Sequence, residues 1–381
     1  MTQITGRARD IPPFIVMDVL ERAHELEREG RHIIHLEVGE PDFPTPGCIC
    51  EAAIQAIREE RTHYTHSLGL IELREAVCGH YLEKYNVHIT PDQVVVTSGT
   101  SPAIFMLYST LLEAGDEVIL SDPHYSCYPN FASFLNAVPA SVNVYEEDGF
   151  QFRPKEIMKR INPSTKAILI NSPSNPTGNL LSPGRMEEIA GLGPHVISDE
   201  IYHGLVYGEK EHSILEFTDR AFVLNGFSKL YAMTGWRLGY IISPPEFIRP
   251  IQKIQQNFFI SAGSVSQWAG IAALTKAGND VKRMRDIYDE RRRYMIKRLR
   301  ELGFGLTVEP KGAFYVLANA RHLSPGSYEL AFEILEKAGV GVTPGIDFGQ
   351  NAEGYLRFSY ANSIENIKIG LDRIEAFIEN R

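Results

Sequence analysis

The chain has few cysteines and no long apolar run among its 381 residues. Cys48, Cys50, Cys78 and Cys127 are too sparse for a disulfide framework, and their spacing does not match a cysteine-based zinc site. No stretch approaches the ~18 consecutive apolar residues that cross a bilayer, and no segment has the pattern of a signal peptide. We therefore expect a cytoplasmic protein with no membrane partner and no metal site.

Positive charge is also scarce. The chain has 38 lysines and arginines against 48 acidic residues, for a net charge of −10. This balance argues against a surface for nucleic acid or anionic lipid. Hydrophobic residues are 44% of the chain and charged residues 23%, as in ordinary globular proteins, and the length fits two modest domains. We expect small-molecule partners and no nucleic acid.

From about residue 46, short apolar runs alternate with amphipathic segments. Predicted strands at 93–97, 117–121, 166–170 and 195–198 are each followed by a predicted helix or loop. Such alternation predicts an α/β fold in which helices cover both faces of a mostly parallel sheet. Ligands in such sheets bind beyond the carboxyl ends of the strands, so functional residues are expected at those positions.

The two ends of the chain have a different pattern. The C-terminal part mixes strands, one of them predicted near 306–308, with helices in an α+β arrangement. The N-terminal part has one helix and one strand, separate from the alternating middle. We predict a large domain over 46–284 and a smaller α+β domain made of 1–45 and 285–381.

The most informative stretch is 222–239, with the sequence FVLNGFSKLYAMTGWRLG. It begins as a buried strand that ends at Gly226, and Lys229 follows in a loop. Partial burial lowers the pKa of an amine towards neutrality, and a neutral amine can attack a carbonyl carbon. Ser228 and Arg237 offer a hydroxyl and a forked cation, which suit a phosphate group.

Two other predicted strand ends carry residues that suit a ligand. The strand at 93–97 runs into Gly99, Thr100 and Ser101, where a helix begins and its free amide groups would bind an anion. Tyr125 follows the next strand, and an aromatic side chain there can lie flat on a cofactor ring. Beside Ser228 and Arg237, the helix start is a candidate half of a phosphate site, whereas Tyr125 is equally compatible with ordinary packing under a loop.

Residues 228–239 match Ser-Lys-x-x-x-Met-Thr-Gly-Trp-Arg-Leu-Gly, which resembles the signature of class I/II pyridoxal-phosphate (PLP) aminotransferases. This is the fold type I family typified by aspartate aminotransferase. Asn-Pro-Thr-Gly at 175–178 is a second mark of that family. The resemblance runs in the family's order from Gly39 to Arg357. It implies PLP as the cofactor and the fold type I transferase architecture.

The resemblance also implies roles for individual residues. Lys229 would hold PLP as a Schiff base and then act as general base and acid. Asp199 would pair with the protonated pyridine nitrogen, which keeps the ring able to accept electrons. Asn175 and Tyr202 would hydrogen-bond the phenolic oxygen, and Tyr125 would stack on the ring.

The remaining implied contacts concern the phosphate and the substrate. The residues expected around the phosphate are Gly99, Thr100, Ser101, Ser228, Arg237 and, from the neighbouring subunit, Tyr64. Arg357 would bind the substrate α-carboxylate as a bidentate fork, with Gly39 and Asn175 beside it. A phosphate contact from a neighbour implies a homodimer with shared active sites, and we expect Tyr64 and the loop 258–264 at the subunit boundary.

The implied reaction is a ping-pong transfer of an amino group from an L-amino acid to a 2-oxo acid, with 2-oxoglutarate as the expected acceptor. A carbon–sulfur lyase or an aminocyclopropane-carboxylate synthase on the same fold would carry nearly the same motifs and stays an alternative. A PLP-sensing regulator would need an appended DNA-binding domain, which we do not expect here. Gly191-Leu-Gly193 lacks the third glycine and the position of a dinucleotide fingerprint, which argues against a dehydrogenase.

The amino donor is open from the motifs alone. Phe14, Ile15 and Val16 are apolar where an N-terminal arm over 1–14 should fold over the substrate, and Ser101 stands where some aspartate-using relatives have a lysine. Burying an unpaired carboxylate is costly. We therefore expect a neutral, apolar or aromatic donor, with aspartate a poor one.

Overall fold

The computed structural model describes residues 4–381. The α-helices are α1 Gly6–Asp10, α2 Ile15–Arg28, α3 Gly47–Arg58, α4 Ile71–Tyr85, α5 Thr100–Leu111, α6 Cys127–Phe134, α7 Pro154–Met158, α8 Pro183–Ala190, α9 Pro245–Phe258, α10 Ser264–Lys276, α11 Gly278–Glu301, α12 Ser327–Ala338 and α13 Ile364–Glu379. The strands are β1 Ile34–His35, β2 Val94–Thr97, β3 Glu117–Asp122, β4 Val138–Asn143, β5 Thr165–Asn171, β6 His195–Asp199, β7 Phe222–Gly226, β8 Gly239–Ile242, β9 Tyr315–Asn319, β10 Val340–Gly341, β11 Thr343–Pro344 and β12 Tyr355–Ser359.

A seven-stranded sheet occupies the middle of the molecule, with the strand order β2-β8-β7-β6-β5-β3-β4. β8 runs antiparallel to β2 and β7, and the other neighbouring pairs are parallel. Side chains alternate between two hydrophobic clusters: Val223 enters one, whereas Phe222 and Leu224 enter the other. Burial on both faces explains why these strands are apolar throughout. The predicted α/β fold is confirmed.

The strands of the C-terminal part form two smaller sheets, one of which includes β1 from the N-terminal segment. β11, β12 and β9 form an antiparallel sheet, and β1 pairs in parallel with β10, so that Ile34 lies opposite Val340. That pairing supports our proposal that the N-terminal segment belongs with the C-terminal unit. The prediction of a strand near 306–308 is wrong, because only an isolated bridge between Gly305 and Asn319 forms there.

The predicted N-terminal arm contains one short helix, α1, all of which is exposed. Residues 1–3 of that arm lie outside the described residues. All four cysteines are free thiols. From residue 4 to residue 381, no helix combines the length and the apolar character needed to cross a membrane.

The carboxyl ends of the central strands meet at one edge of the sheet. β5 ends at Asn171 and β6 ends at Asp199, which lie opposite each other in the strand register. β7 ends at Gly226, just before the loop that carries Lys229, and α5 begins at Thr100 directly after β2. Polar residues far apart in the sequence are thereby brought to one place.

Candidate active site

A cavity of about 340 Å³ lies at this edge of the sheet. That volume is within the usual range for small-molecule sites. The predicted site residues that line it are Gly39, Thr100, Ser101, Tyr125, Asn175, Asp199, Tyr202, Ser228, Lys229, Arg237 and Arg357. The fold therefore gathers into one cavity nearly all the residues that the sequence singled out.

Lys229 reaches into the cavity from the loop after β7. Its Nζ donates a hydrogen bond to the backbone oxygen of Gly39 at 2.6 Å. Burial, and after it the positive charge of Arg357, lowers the pKa of Lys229 to about 8. About a tenth of the amine is therefore neutral at pH 7. The neutral amine is the form that can react as a nucleophile or accept a proton.

Asp199 ends β6 and is almost fully buried, with 4% of its surface exposed. Tyr128 Oη donates to its Oδ2 at 2.7 Å, and the backbone amide of Ile201 donates to its Oδ1 at 3.1 Å. Burial raises the pKa of Asp199 to about 6, and these two hydrogen bonds oppose the rise. A positive charge next to Asp199 would stabilise its ionised form and offset the cost of burial. The position of this carboxylate therefore suits a ligand with a cationic group beside it.

The first turn of α5 and the lysine loop form an anion-binding geometry. Thr100, Ser101, Ser228 and Arg237 all line the same cavity. Gly99, which caps α5 with φ at 96°, does not line it, but a Cβ at this position would lie 2.7 Å from Nη2 of Arg237. The glycine therefore allows the guanidinium to approach the helix N-terminus, where an anion would meet both the amides and the cation.

Arg357 lies on β12 with 3% of its surface exposed. Its guanidinium carbon is 4.3 Å from the ring centroid of Tyr315 and 4.8 Å from that of Phe348. Nη1 donates to Oδ1 of Asn175 at 2.9 Å. Within residues 4–381, Nε of Arg357 is buried without a hydrogen-bond partner. Nη2 also donates to Thr343 Oγ1 at 3.1 Å, so the guanidinium is held rigidly in the cavity wall, where its positive charge would attract a carboxylate.

Residues 31–374 match the family described as aminotransferase class I and II. The match covers most of the chain.

The chain belongs to the class I and II aminotransferases.

Three similar proteins are transaminases with different substrates in their names. A (5-formylfuran-3-yl)methyl phosphate transaminase of Methanocaldococcus jannaschii is 42% identical over 379 residues, which are 98% of this chain and 99% of the relative. An aspartate aminotransferase of Pyrococcus horikoshii is 38% identical over 372 residues, 96% and 94% of the two chains. The structure of Thermus thermophilus aspartate aminotransferase with maleate has a TM-score of 0.95 at 35% identity, covering 99% of this chain and 100% of the other.

These likenesses fix the reaction class of this aminotransferase and leave its substrates open. It is a transaminase of a PLP-dependent family. The lyase and synthase alternatives are therefore not favoured. The substrate names differ among relatives of similar identity, so the donor has to be inferred from the cavity of this aminotransferase itself.

Sequence reasoning missed several polar residues of the cavity, among them Tyr128, Asn171 and Tyr315. Tyr128 donates to Asp199, and Nδ2 of Asn171 donates to the backbone oxygen of Asp199 at 2.9 Å. Tyr315 Oη is hydrogen-bonded to Tyr202 Oη at 2.8 Å. The position of Asn171 as the last residue of an apolar strand could have identified it. Tyr128 and Tyr315 had no comparable signal in the sequence.

Tyr315 also explains why residue 39 is a glycine. A Cβ on Gly39 would overlap the hydroxyl of Tyr315, so any larger residue would displace that ring or the 39–42 turn. The backbone oxygen of Gly39 holds Nζ of Lys229, and the ring of Tyr315 packs on Arg357. Gly39 thus lets the lysine and the arginine share one compact cavity.

The apolar part of the cavity wall comes mainly from the first turns of α2. The apolar lining residues are Phe14, Val16, Met17, Leu20, Val38, Ile104 and Ile201. Ile15 does not line the cavity; its backbone amide donates to Oδ1 of Asp347 at 3.0 Å instead. The cover over the cavity is thus Phe14 and the beginning of α2, directly after the predicted arm over 1–14.

Tyr64 lies outside the cavity, with 82% of its surface exposed. Phe258 is also exposed, at 67%. The two surrounding loops are joined through Gln267, whose Nε2 donates to Thr65 Oγ1 and to the Ala262 backbone oxygen, both at 2.9 Å. The role of Tyr64 at a partner's cofactor stays a prediction.

Proposed function

We propose that this aminotransferase binds PLP in the 340 Å³ cavity and transfers the amino group of a neutral, apolar or aromatic L-amino acid to a 2-oxo acid by a ping-pong mechanism. The proposed acceptor is 2-oxoglutarate. The observation that carries the proposal is the convergence of Lys229, Asp199 and Arg357 on one cavity whose remaining wall is largely apolar.

The residues of the cavity fit PLP. Arg237 and the first turn of α5 would hold the phosphate, with Gly99 giving the guanidinium room. Asp199, buried and ready to accept a cationic neighbour, would face the protonated ring nitrogen. Tyr125 would stack on the ring. When bound, PLP supplies an electron sink for bonds at the substrate α-carbon.

Asn175 and Tyr202 would bind the phenolic oxygen of the cofactor. Asn175 is already tied to Arg357, and Tyr202 to Tyr315. These bonds connect the region of the cofactor oxygen with the region of the substrate carboxylate. We infer that Arg357 orients the donor by binding its α-carboxylate. The hydrogen bond from Arg357 to Asn175 would fix the position of this carboxylate relative to the cofactor.

Lys229 is the proposed proton carrier. Its pKa of about 8 would let Nζ accept a proton from the substrate α-carbon and donate it to the cofactor carbon that receives the amino group. The backbone oxygen of Gly39 keeps the amine on the substrate side of the cavity. The ring of Phe314, 5.8 Å from Nζ, excludes water from the same region.

The charges of the cavity support a neutral donor. Its cationic lining residues are Lys229, Arg237 and Arg357, and each has a proposed partner. Within the described residues, no fourth cation lines the wall, whereas Glu40 adds a negative charge. A distal carboxylate would be desolvated without a counterion, which costs several kcal/mol. Apolar and aromatic side chains face no such penalty against the α2 wall.

The acceptor 2-oxoglutarate carries a second carboxylate, so the wall must adjust when it binds. We propose that the first turn of α2 shifts, which opens the hydrogen bond between the Ile15 amide and Asp347. Asp347→Ala should then change the KM for 2-oxoglutarate more than the KM for the donor. Equal changes in both KM values would argue against this movement.

A donor panel tests the proposal most directly. We would measure kcat/KM with alanine, valine, phenylalanine, tyrosine and aspartate, each with 2-oxoglutarate. We expect the best neutral donor to exceed aspartate by at least about tenfold, the size of one missing charge-assisted hydrogen bond. If aspartate gives the highest value, a cation has been missed and the apolar-wall argument is wrong.

We further propose a homodimer with shared active sites. The exposed aromatic rings of Tyr64 and Phe258 support this proposal, since both would be covered at a subunit boundary. Tyr64→Phe should weaken retention of PLP without changing the dimer, because it removes only the hydroxyl group. A dilute monomer with full activity would contradict shared sites.

A further inference from the structure

Outside the cavity, three possible metal ligands meet where α2 passes β1. His24 and Glu27 are three residues apart on α2 and so share one face of the helix, while His35 lies on β1. One ligand atom from each lies within 4.8 Å of the other two. His35 Nε2 is 3.2 Å from Glu27 Oε1, and the rings of His24 and His35 are 5.8 Å apart between centroids.

A buried carboxylate fixes the orientation of His35. Its Nδ1 is 2.6 Å from Oε1 of Glu37, and Glu37 is fully buried. Gly341 provides the space, because a Cβ there would overlap the Glu37 carboxylate. A histidine that binds a metal through one ring nitrogen usually engages a carboxylate or carbonyl with the other. His35 has this second partner in place, and its Nε2 faces Glu27.

An ordinary ion pair explains only part of this cluster. A positive His35 between Glu27 and Glu37 would account for those three residues. It gives no role to His24, which makes no side-chain hydrogen bond within residues 4–381 although it lies against the pair. A dication would engage His24, Glu27 and His35 directly, and Glu37 through its contact with His35 Nδ1.

We propose that His24, Glu27 and His35 bind a transition-metal dication of the Zn²⁺ class, with Glu37 as the positioning residue. Two imidazoles and one carboxylate are a known ligand set for zinc, and a water molecule would complete the tetrahedron. Metal bonds of about 2.0–2.1 Å place neighbouring ligand atoms roughly 3.4 Å apart. His35 and Glu27 already satisfy that spacing, and rotation of the exposed His24 side chain can close the rest.

The ion would connect α2 to β1 at the end of the helix remote from the cavity. His24 lies beyond Leu20, the last residue of α2 that lines the cavity. We therefore expect metal binding to raise the melting temperature and to leave the turnover of the loaded enzyme nearly unchanged. The site is independent of the proposed transamination, so either proposal can fail without the other.

The test is a calorimetric titration of ZnCl₂ into the holoenzyme, compared among the wild type, His24→Ala and His88→Ala. His24 is exposed, so its removal should not disturb folding, and His88 is an exposed histidine outside the cluster. We expect one ion per chain, at least tenfold weaker binding in His24→Ala, and wild-type binding in His88→Ala. MgCl₂ should give no comparable binding, because Mg²⁺ prefers oxygen ligands.

Glu37→Gln separates a metal site from a purely structural cluster. It should weaken zinc binding by about 10- to 100-fold, because the orienting carboxylate is lost. The melting temperature should then rise with ZnCl₂ in the wild type and much less in His24→Ala. Equal zinc affinity in the wild type and His24→Ala would overturn the proposal, as would zinc binding without any shift in melting temperature.

Discussion

The two sides of the cavity are built in different ways. On the sheet side, Asp199 and Lys229 follow strand ends and are held by hydrogen bonds of 2.7 and 2.6 Å. On the α2 side, Val16 and Leu20 present apolar surface to the cavity from a helix that packs on β10, β11 and α12. The polar side offers groups for the chemistry, and the apolar side offers space for a substrate side chain.

This difference has a physical cause. A proton carrier and a ring-nitrogen partner must keep their positions within fractions of an ångström, and the ends of buried parallel strands provide that rigidity. A helix packed mainly by apolar contacts can change its side chains at little cost, and a slight shift of the first turn of α2 would open the hydrogen bond from the Ile15 amide to Asp347. We infer that relatives can keep the sheet side while the helix side changes with the donor.

The largest expected effect comes from the sheet side. Lys229→Ala should lower kcat by about 10⁴-fold or more, because both the nucleophile and the proton carrier are lost. The measurement is turnover of the best donor, with circular dichroism to confirm folding. The control is Lys253→Ala, which removes an exposed lysine of α9 and should leave turnover unchanged. Full turnover in Lys229→Ala would contradict the assignment of the catalytic groups to the sheet side of the cavity.

Asp199→Ala should give the next largest loss. Without the carboxylate the ring nitrogen is not kept protonated, so we expect kcat to fall by about 10³-fold, within the range for a removed acid–base group. PLP should still bind, since Arg237 and the α5 N-terminus remain. Tyr128→Phe is the matched control: it keeps Asp199 and removes only its 2.7 Å hydrogen bond, so its effect should be much smaller. A near-normal rate in Asp199→Ala would show that this carboxylate is dispensable.

The sequence predicted the sheet side better than the helix side, for a physical reason. Strand ends such as Asp199 and loops such as that of Lys229 are marked by an abrupt change from apolar to polar residues, so they can be recognised locally. Tyr128 and Tyr315 enter the cavity only through tertiary packing. The helix predicted for the N-terminal part is α2, and Phe14 and Val16 line the cavity as expected, but the contribution of Met17 and Leu20 depends on how α2 packs in the folded chain.

The proposed metal cluster illustrates the same limit. The sequence expectation of no metal site was based on cysteine and histidine spacing. His24 and Glu27 are close because of the helical repeat, but His35 joins them only because β1 lies beside α2 in the folded chain. The pairing of β1 with β10, 306 positions later in the chain, holds that strand in place. Contacts of this kind cannot be inferred from spacing alone.

A smaller effect should come from the helix side. Met17 lines the cavity and is 45% exposed, so an arginine there can reach the substrate without a large cost in stability. Met17→Arg should raise the ratio of kcat/KM for aspartate over phenylalanine by about tenfold, the size of one charge-assisted hydrogen bond. Met17→Gln, of similar length and uncharged, should not. If both variants shift the ratio equally, polarity rather than charge controls the donor.

The smallest expected effect is a pH dependence that reports on the burial of Lys229. Covalent capture of PLP by the apoenzyme requires the neutral amine, and the lowered pKa of about 8 makes that form abundant at moderate pH. The neutral fraction should rise about fivefold from pH 7 to 8 and only about twofold from pH 8 to 10. A lysine with an ordinary pKa of about 10.4 would instead gain roughly 70-fold between pH 8 and 10.

Capture rates followed by absorbance over this range decide between the two profiles. N-α-acetyl-lysine under the same conditions is the control, because it corrects for titration of PLP itself and carries an unburied amine. A plateau above pH 9 in the apoenzyme would show that burial tunes Lys229 before any cofactor arrives. A rise that continues to pH 10 would mean that burial does not lower the pKa of Lys229 before PLP binds. The chemical difference between the sheet side and the α2 side would then arise only in the presence of the cofactor.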